Sequence, residues 1–111
     1  MTTERPMRNP DPAGVLHAAE KVAQILPFTP LLPVEHAGKR FWLKAECLQP
    51  VGAFKIRGAW HRLTDLTEAE KVGGVVAVSS GNHAQGVAWA AKRLGLRAAI
   101  VMPRDAPADF G

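Results

Sequence analysis

The 111-residue sequence has no tyrosine, a single cysteine, no block of like charges and no long apolar run. Each absence excludes something. Cys47 has no second cysteine to pair with, so there is no intrachain disulfide framework, and a reducing, cytoplasmic setting is expected. The longest apolar runs, Val75 to Val78 and Ala98 to Met102, are far too short to cross a bilayer. Met1 to Pro12 is polar and carries Pro6, Pro10 and Pro12, which is not the apolar core of a signal peptide. No membrane partner is expected. Fourteen Lys and Arg against ten Asp and Glu give a net charge of +4. These basic residues are scattered, so no nucleic-acid partner is expected, although anionic small molecules remain compatible. His17, His36 and His61 lack Cys, Asp or His neighbours at ligand spacing, and no metal site is expected.

What is present is an ordinary globular composition, 47% hydrophobic and 22% charged, without repeats or low-complexity tracts. Residues 1–12 read as a disordered tail. A helix should follow, with Asp11 as cap, Pro12 at its first position, and Val15, Leu16, Ala19, Val22, Ala23 and Leu26 at helical spacing. The prolines between Pro27 and Pro33 favour an extended path, and Arg40 to Lys44 reads as a short strand. A second helix is expected from Lys55 to Leu66, with Ile56, Ala59, Trp60 and Leu63 on one face. Thr67 to Glu70 matches a capping box, its Glu68 and Glu70 forming a solvated helix start. Trp42, Trp60 and Trp89 read as core residues.

From Gly73 to Pro103 the pattern is that of one β-α-β unit. Val75 to Ser79 and Ala98 to Met102 read as parallel strands covered on both faces, joined by a right-handed crossover. The helix between them should run from His83, turn Val87, Ala90, Ala91 and Leu94 inward, and stop at Gly95. The fold class is α/β.

Ligands of such units sit at the carboxyl ends of strands, where helices begin. Ser79-Ser80-Gly81-Asn82-His83 lies there, and its hydroxyls, its glycine and the free N–H groups of a helix start could cradle a carboxylate or phosphate. The same residues equally fit an ordinary capped helix. Lys55 falls at the start of the preceding helix, where the dipole disfavours a cation and so favours the neutral amine of Schiff-base chemistry. A solvated lysine beginning a helix is the plainer alternative.

Taken together the segments Lys44-Ala45-Glu46, Gly52 to Ala59, Ser79 to Gly86 and Val101-Met102-Pro103 resemble the serine/threonine dehydratases. These are pyridoxal-phosphate enzymes of the tryptophan-synthase-β-like group (fold type II), and the likeness is collinear from about Phe28 to Pro107. The resemblance implies a parallel, three-layer α/β sheet, here incomplete. It implies that Lys55 holds the cofactor and serves as base, that Phe54 packs on the pyridine ring, and that Asn82 bonds the ring hydroxyl. Ser79, Ser80, Gly81, Asn82 and His83 would receive the substrate carboxylate. Ser80 matches the opposite-face acid/base of serine racemases, where many threonine dehydratases carry alanine. The implied reaction is β-elimination from serine or threonine to a 2-oxo acid and ammonia, in a homo-oligomer.

The sequence also departs from the family. Ala53 replaces the serine often found before the Phe-Lys pair, and no glycine-rich phosphate-binding loop follows Gly95. On this basis residues 13–72 are expected to be the beginning of a large cofactor domain and 73–111 the first β-α-β unit of a smaller one. The chain is expected to be a truncated piece, inactive alone. The alternatives are a serine racemase or hydroxyaspartate dehydratase relative, or a non-catalytic fragment that docks on a full-length homologue.

Overall fold

The computed structural model describes residues 9–107; the larger part of the expected tail, residues 1–8, lies outside them. Asp11 begins the first helix, its Oδ1 accepting from the Gly14 N–H at 2.6 Å with Pro12 in the position that needs no donor. α1 spans Pro12–Ala23, so residue 12 is helical rather than tail. Of the expected apolar stripe only its C-terminal end is buried: Val22 and Leu26 pack on Ile56, whereas Val15 and Leu16 face outward because no described element lies against the first turns.

The proline-rich link leads into β1 (Leu31–His36), which pairs antiparallel with β2 (Lys39–Lys44). The strand at Arg40 to Lys44 was expected, and its partner was not. Pro33 sits opposite Trp42 in this ribbon; two-stranded edges tolerate proline because alternate N–H groups point away from the partner. Ala37 and Gly38 both have positive φ (52° and 74°), the geometry of a two-residue hairpin turn whose twist matches the strands. An Ala-Gly pair is a weak turn signal, which is why the hairpin is hard to read from sequence. Trp42 is not core, being 67% exposed, since nothing described covers either face of the ribbon.

Beyond two short 3-10 turns (Glu46–Leu48 and Pro50–Gly52) comes α2, Lys55–Thr64. It buries Ile56, Ala59 and Leu63, as its spacing requires. α3 (Glu68–Gly73) opens with both bonds of the capping box between Thr67 and Glu70. β3 (Val75–Val78) and β4 (Ala98–Val101) are parallel, with α4 (Asn82–Leu94) between them in sequence, ending in a left-handed cap at Gly95.

The main cluster joins Ala59 and Leu63 of α2 to Val87, Ala90 and Ala91 of α4 over Ala77 of β3. Trp60 and Trp89 pack on it edge to face, 5.8 Å between centroids. Both helices lie on the sheet face that carries Val75, Ala77 and Ile100. The expectation that β3 and β4 are covered on both faces is therefore corrected. Val76 and Val78 alternate to the other side and are 73% and 75% exposed. Among the described residues nothing lies over them.

Candidate functional site

The approach of α4 to α2 decides the geometry here. A Cβ built at Gly86 would stand 3.2 Å from the carbonyl oxygen of Lys55 and 3.3 Å from the nitrogen of Ile56. Any side chain at this position would press on that peptide, so the glycine favours the close meeting of the start of α2 with α4. Lys55 is the first residue of α2 and Asn82 the first of α4, so both helix starts come to one end of the pair. Between them lies an open cleft of about 400 Å³ lined by Phe54, Lys55, Arg57, Gly58, Ala59 and His83. The Lys55 Nζ rides 5.5 Å from the centroid of the exposed Phe54 ring.

The β3–α4 loop is held from within. Ser79 continues the sheet by donating its N–H to the Val101 carbonyl at 3.0 Å. Its Oγ accepts from the N–H groups of Gly81 and Ala84, each at 3.2 Å. The hydroxyl thus caps α4 in place of an N-cap side chain, since Gly81 holds that position without one. The Asn82 and His83 N–H groups have no acceptor among the described residues. Of the residues expected at the site, Phe54, Lys55 and His83 share the cleft, while Ser79 and Gly81 build the loop at its edge. Ser80 on that loop and Asn82 at the start of α4 are exposed and do not line the cleft.

One group went without a role in the sequence reading. Glu46 is a half-buried carboxylate that accepts from Thr29 Oγ1 and, at 3.2 Å, from Gln49 Nε2. Lys44 Nζ lies 2.9 Å away and also donates to Thr29 Oγ1. Arg57 Nε stands at 4.0 Å. Burial pushes the Glu46 carboxyl up, but the hydrogen bonds of Thr29, Lys44 and Gln49 and the charge of Lys44 outweigh it and hold the group below its ordinary value. The available signal was a lone acid set between two cations in the segment that leads to Lys55.

The donor set fits pyridoxal phosphate. A primary amine stands at the mouth of a cleft, an aromatic face lies beside it, and amide N–H groups without acceptors open the neighbouring helix. A Cβ at Gly58 or Gly81 would meet nothing within 4 Å, so there is room above both. The profile described as "Pyridoxal-phosphate dependent enzyme" matches residues 22–110.

The chain belongs to the pyridoxal-phosphate dependent enzyme family.

Among relatives, it is 40% identical to the biosynthetic L-threonine dehydratase of Haemophilus influenzae, an alignment covering 91% of this chain and 22% of that protein. It is 56% identical over 73 residues to the L-threonine ammonia-lyase of Thermotoga maritima, covering 66% of this chain and 18% of that one. The solved maize serine racemase superposes with a TM-score of 0.83 at 41% identity, over 90% of this chain and 32% of that structure. The chain therefore spans about a fifth of the length of these two curated relatives. The α/β fold expected from the resemblance, that of the fold type II enzymes, is borne out for the part spanned. Among the described residues no helix is long and apolar enough to cross a membrane.

Proposed function

We propose that this chain supplies the lysine-bearing side of a pyridoxal-phosphate site for β-elimination from a hydroxy amino acid such as serine or threonine. The observation that carries the proposal is the meeting of Lys55 and Phe54, from the start of α2, with His83, from the start of α4, on one cleft. Lys55 would hold the cofactor through its amine, and that nitrogen would also be the base that takes the substrate α-proton. When bound, pyridoxal phosphate supplies an electron sink for the charge left on the α-carbon. Phe54 offers a ring face to the pyridine, and Asn82 is assigned to its ring hydroxyl. The N–H groups of Asn82 and His83 stand at the positive end of the α4 dipole and suit the substrate carboxylate. Ser79 keeps that loop in shape through its two accepted hydrogen bonds. Breaking the α C–H and β C–O bonds releases water, and the resulting enamine hydrolyses to a 2-oxo acid and ammonia.

The division into residues 13–72 of a cofactor domain and 73–111 of a smaller one belongs to the same proposal, as do homo-oligomeric assembly and a cytoplasmic setting. Treatment with pyridoxal phosphate and borohydride, followed by peptide mapping, tests it. Lys55 should be labelled well ahead of the exposed hairpin residue Lys39, and Lys55→Ala should remove that adduct alone. Equal labelling of the two lysines would overturn the proposal.

A racemase reading is favoured by one feature, the exposed Ser80 hydroxyl on the loop beside the cleft. In an enzyme completed with a relative's remaining sequence, Ser80→Ala should abolish D-serine formation and spare elimination. If no D-serine forms before the substitution, that reading fails.

A further inference from the structure

Lys55 is only as well placed as the turn that precedes it, and one carboxylate links that turn to the elements on either side. We propose that Glu46 is a positioning residue for Lys55, its carboxylate clamping the segment 46–54 so that the amine is presented to the cleft; this rests on the functional reading above. Glu46 is 16% exposed. Its two oxygens engage groups from four places: Thr29 in the link before β1, Lys44 at the end of β2, Gln49 in the turn itself and Arg57 in α2. Lys44 and Arg57 are the charged groups that face it, one on each side of the turn in sequence.

Gln49 shows how firmly this arrangement is held. Only 4% exposed, it donates from Nε2 to the Pro27 carbonyl at 3.4 Å and to Glu46. Both partners are acceptors, so the amide cannot be turned over, and its Oε1 is left buried with no hydrogen bond among the described residues. Such an atom is unfavourable and persists only where its surroundings dictate it. The backbone carries the same mark. Val51, a β-branched residue, has φ 63° and ψ 4°, followed by Gly52 at φ 73°. A left-handed valine is strained and needs flanks that impose it. Here Val51 packs on the Val22, Leu26 and Ile56 cluster on one side, and the Gly52 N–H meets the Gln49 carbonyl at 2.8 Å on the other. The Glu46 clamp, the strained turn and the close approach of Gly86 together leave Lys55 little freedom of backbone.

Amide hydrogen exchange on the 111-residue chain, together with borohydride labelling, tests this. In Glu46→Gln the amides of Gln49, Gly52 and Arg57 should exchange about tenfold faster, the equilibrium equivalent of losing one charge-assisted hydrogen bond. Those of Val87 to Ala91 in α4 should stay unchanged, and labelling of Lys55 relative to Lys39 should fall toward unity. If Glu46→Gln does not fold, Thr29→Val, which removes only the hydroxyl partner, should give the same local pattern at smaller amplitude. Faster exchange spread evenly over all elements would make Glu46 a general stabiliser and overturn the proposal, as would unchanged exchange in the turn. If the unaltered chain shows no preference for Lys55, the functional reading falls, and the exchange pattern alone then decides the clamp.

Discussion

At Gly86 a single missing carbon sets the distance between two helices. The nearest atoms to an added Cβ belong to the Lys55–Ile56 peptide, which has no side-chain freedom with which to give way. Gly86→Ala is therefore expected to destabilise the chain by about 1–3 kcal/mol, seen as a lower urea midpoint at unchanged slope. It should also slow labelling of Lys55. Glu46 gives a residue-scale prediction in pH. Its carboxyl is held below the ordinary value of 4.5 in the folded chain, so the stability it contributes is fully present above that value. That contribution is lost as pH falls through the lower, folded value. Stability measured from pH 6 downward should fall less steeply in Glu46→Gln, and an identical acid limb would show that the network contributes nothing. The cluster itself could be noticed in sequence only as an isolated acid between Lys44 and Arg57. Its hydrogen bonds join residues from Thr29 to Arg57, a separation that no local pattern encodes.

Elements differ in how much of themselves they carry locally. α3 is short, and its own residues begin it: Thr67 accepts from the Glu70 N–H at 3.2 Å while Glu70 returns to the Thr67 N–H at 3.0 Å. Thr67→Ala should cost about 1 kcal/mol, with loss of amide protection at Glu70 and Lys71 ahead of the rest of the chain. α2 and α4 were legible because Ile56, Ala59 and Leu63, and likewise Val87, Ala90 and Ala91, recur at the helical period. The hairpin was half legible. Arg40 to Lys44 has strand composition, but Pro33 speaks against a strand and Ala37 against a tight turn, and only pairing across the ribbon overrides both. At the site the start of α2 was foreseen at Lys55 itself, and the start of α4 to within one residue. Their meeting was not foreseen, because it depends on the crossing of two helices at Gly86.

For the whole molecule the uncovered sheet face has the largest consequence. Among the described residues, Val76 and Val78 on β3, with Val101 on β4, form an exposed apolar strip beside strand edges that no other described strand pairs. Val76→Lys with Val78→Lys should raise the soluble yield of the 111-residue chain while changing stability by no more than about 0.5 kcal/mol, since both side chains are already exposed. Soluble expression before and after the exchange, with a urea melt, checks it. A large loss of stability would mean that the face is packed in solution. The same openness bears on activity: Phe54 is exposed and the cleft is open. Water excluded poorly from such a site weakens the electrostatic control that proton abstraction needs. We expect the 111-residue chain alone to form the Lys55 adduct without measurable release of 2-oxo acid.

By itself the sequence determined the elements that are periodic or capped: α2, α3, α4 and the parallel strands, and it singled out the lysine and the loop to which the proposal assigns the chemistry. Those are properties of neighbouring residues, and turn chemistry and apolar spacing report them directly. The tertiary structure alone decided which groups meet. Lys55 shares a cleft with His83 because Gly86 admits a helix to within van der Waals contact of its backbone. Glu46 gathers its partners because the link before β1, the end of β2, the turn at Gln49 and the start of α2 converge on it. It decided as well that β3 has one covered face and not two, since burial depends on what packs against a strand and not on how apolar the strand is.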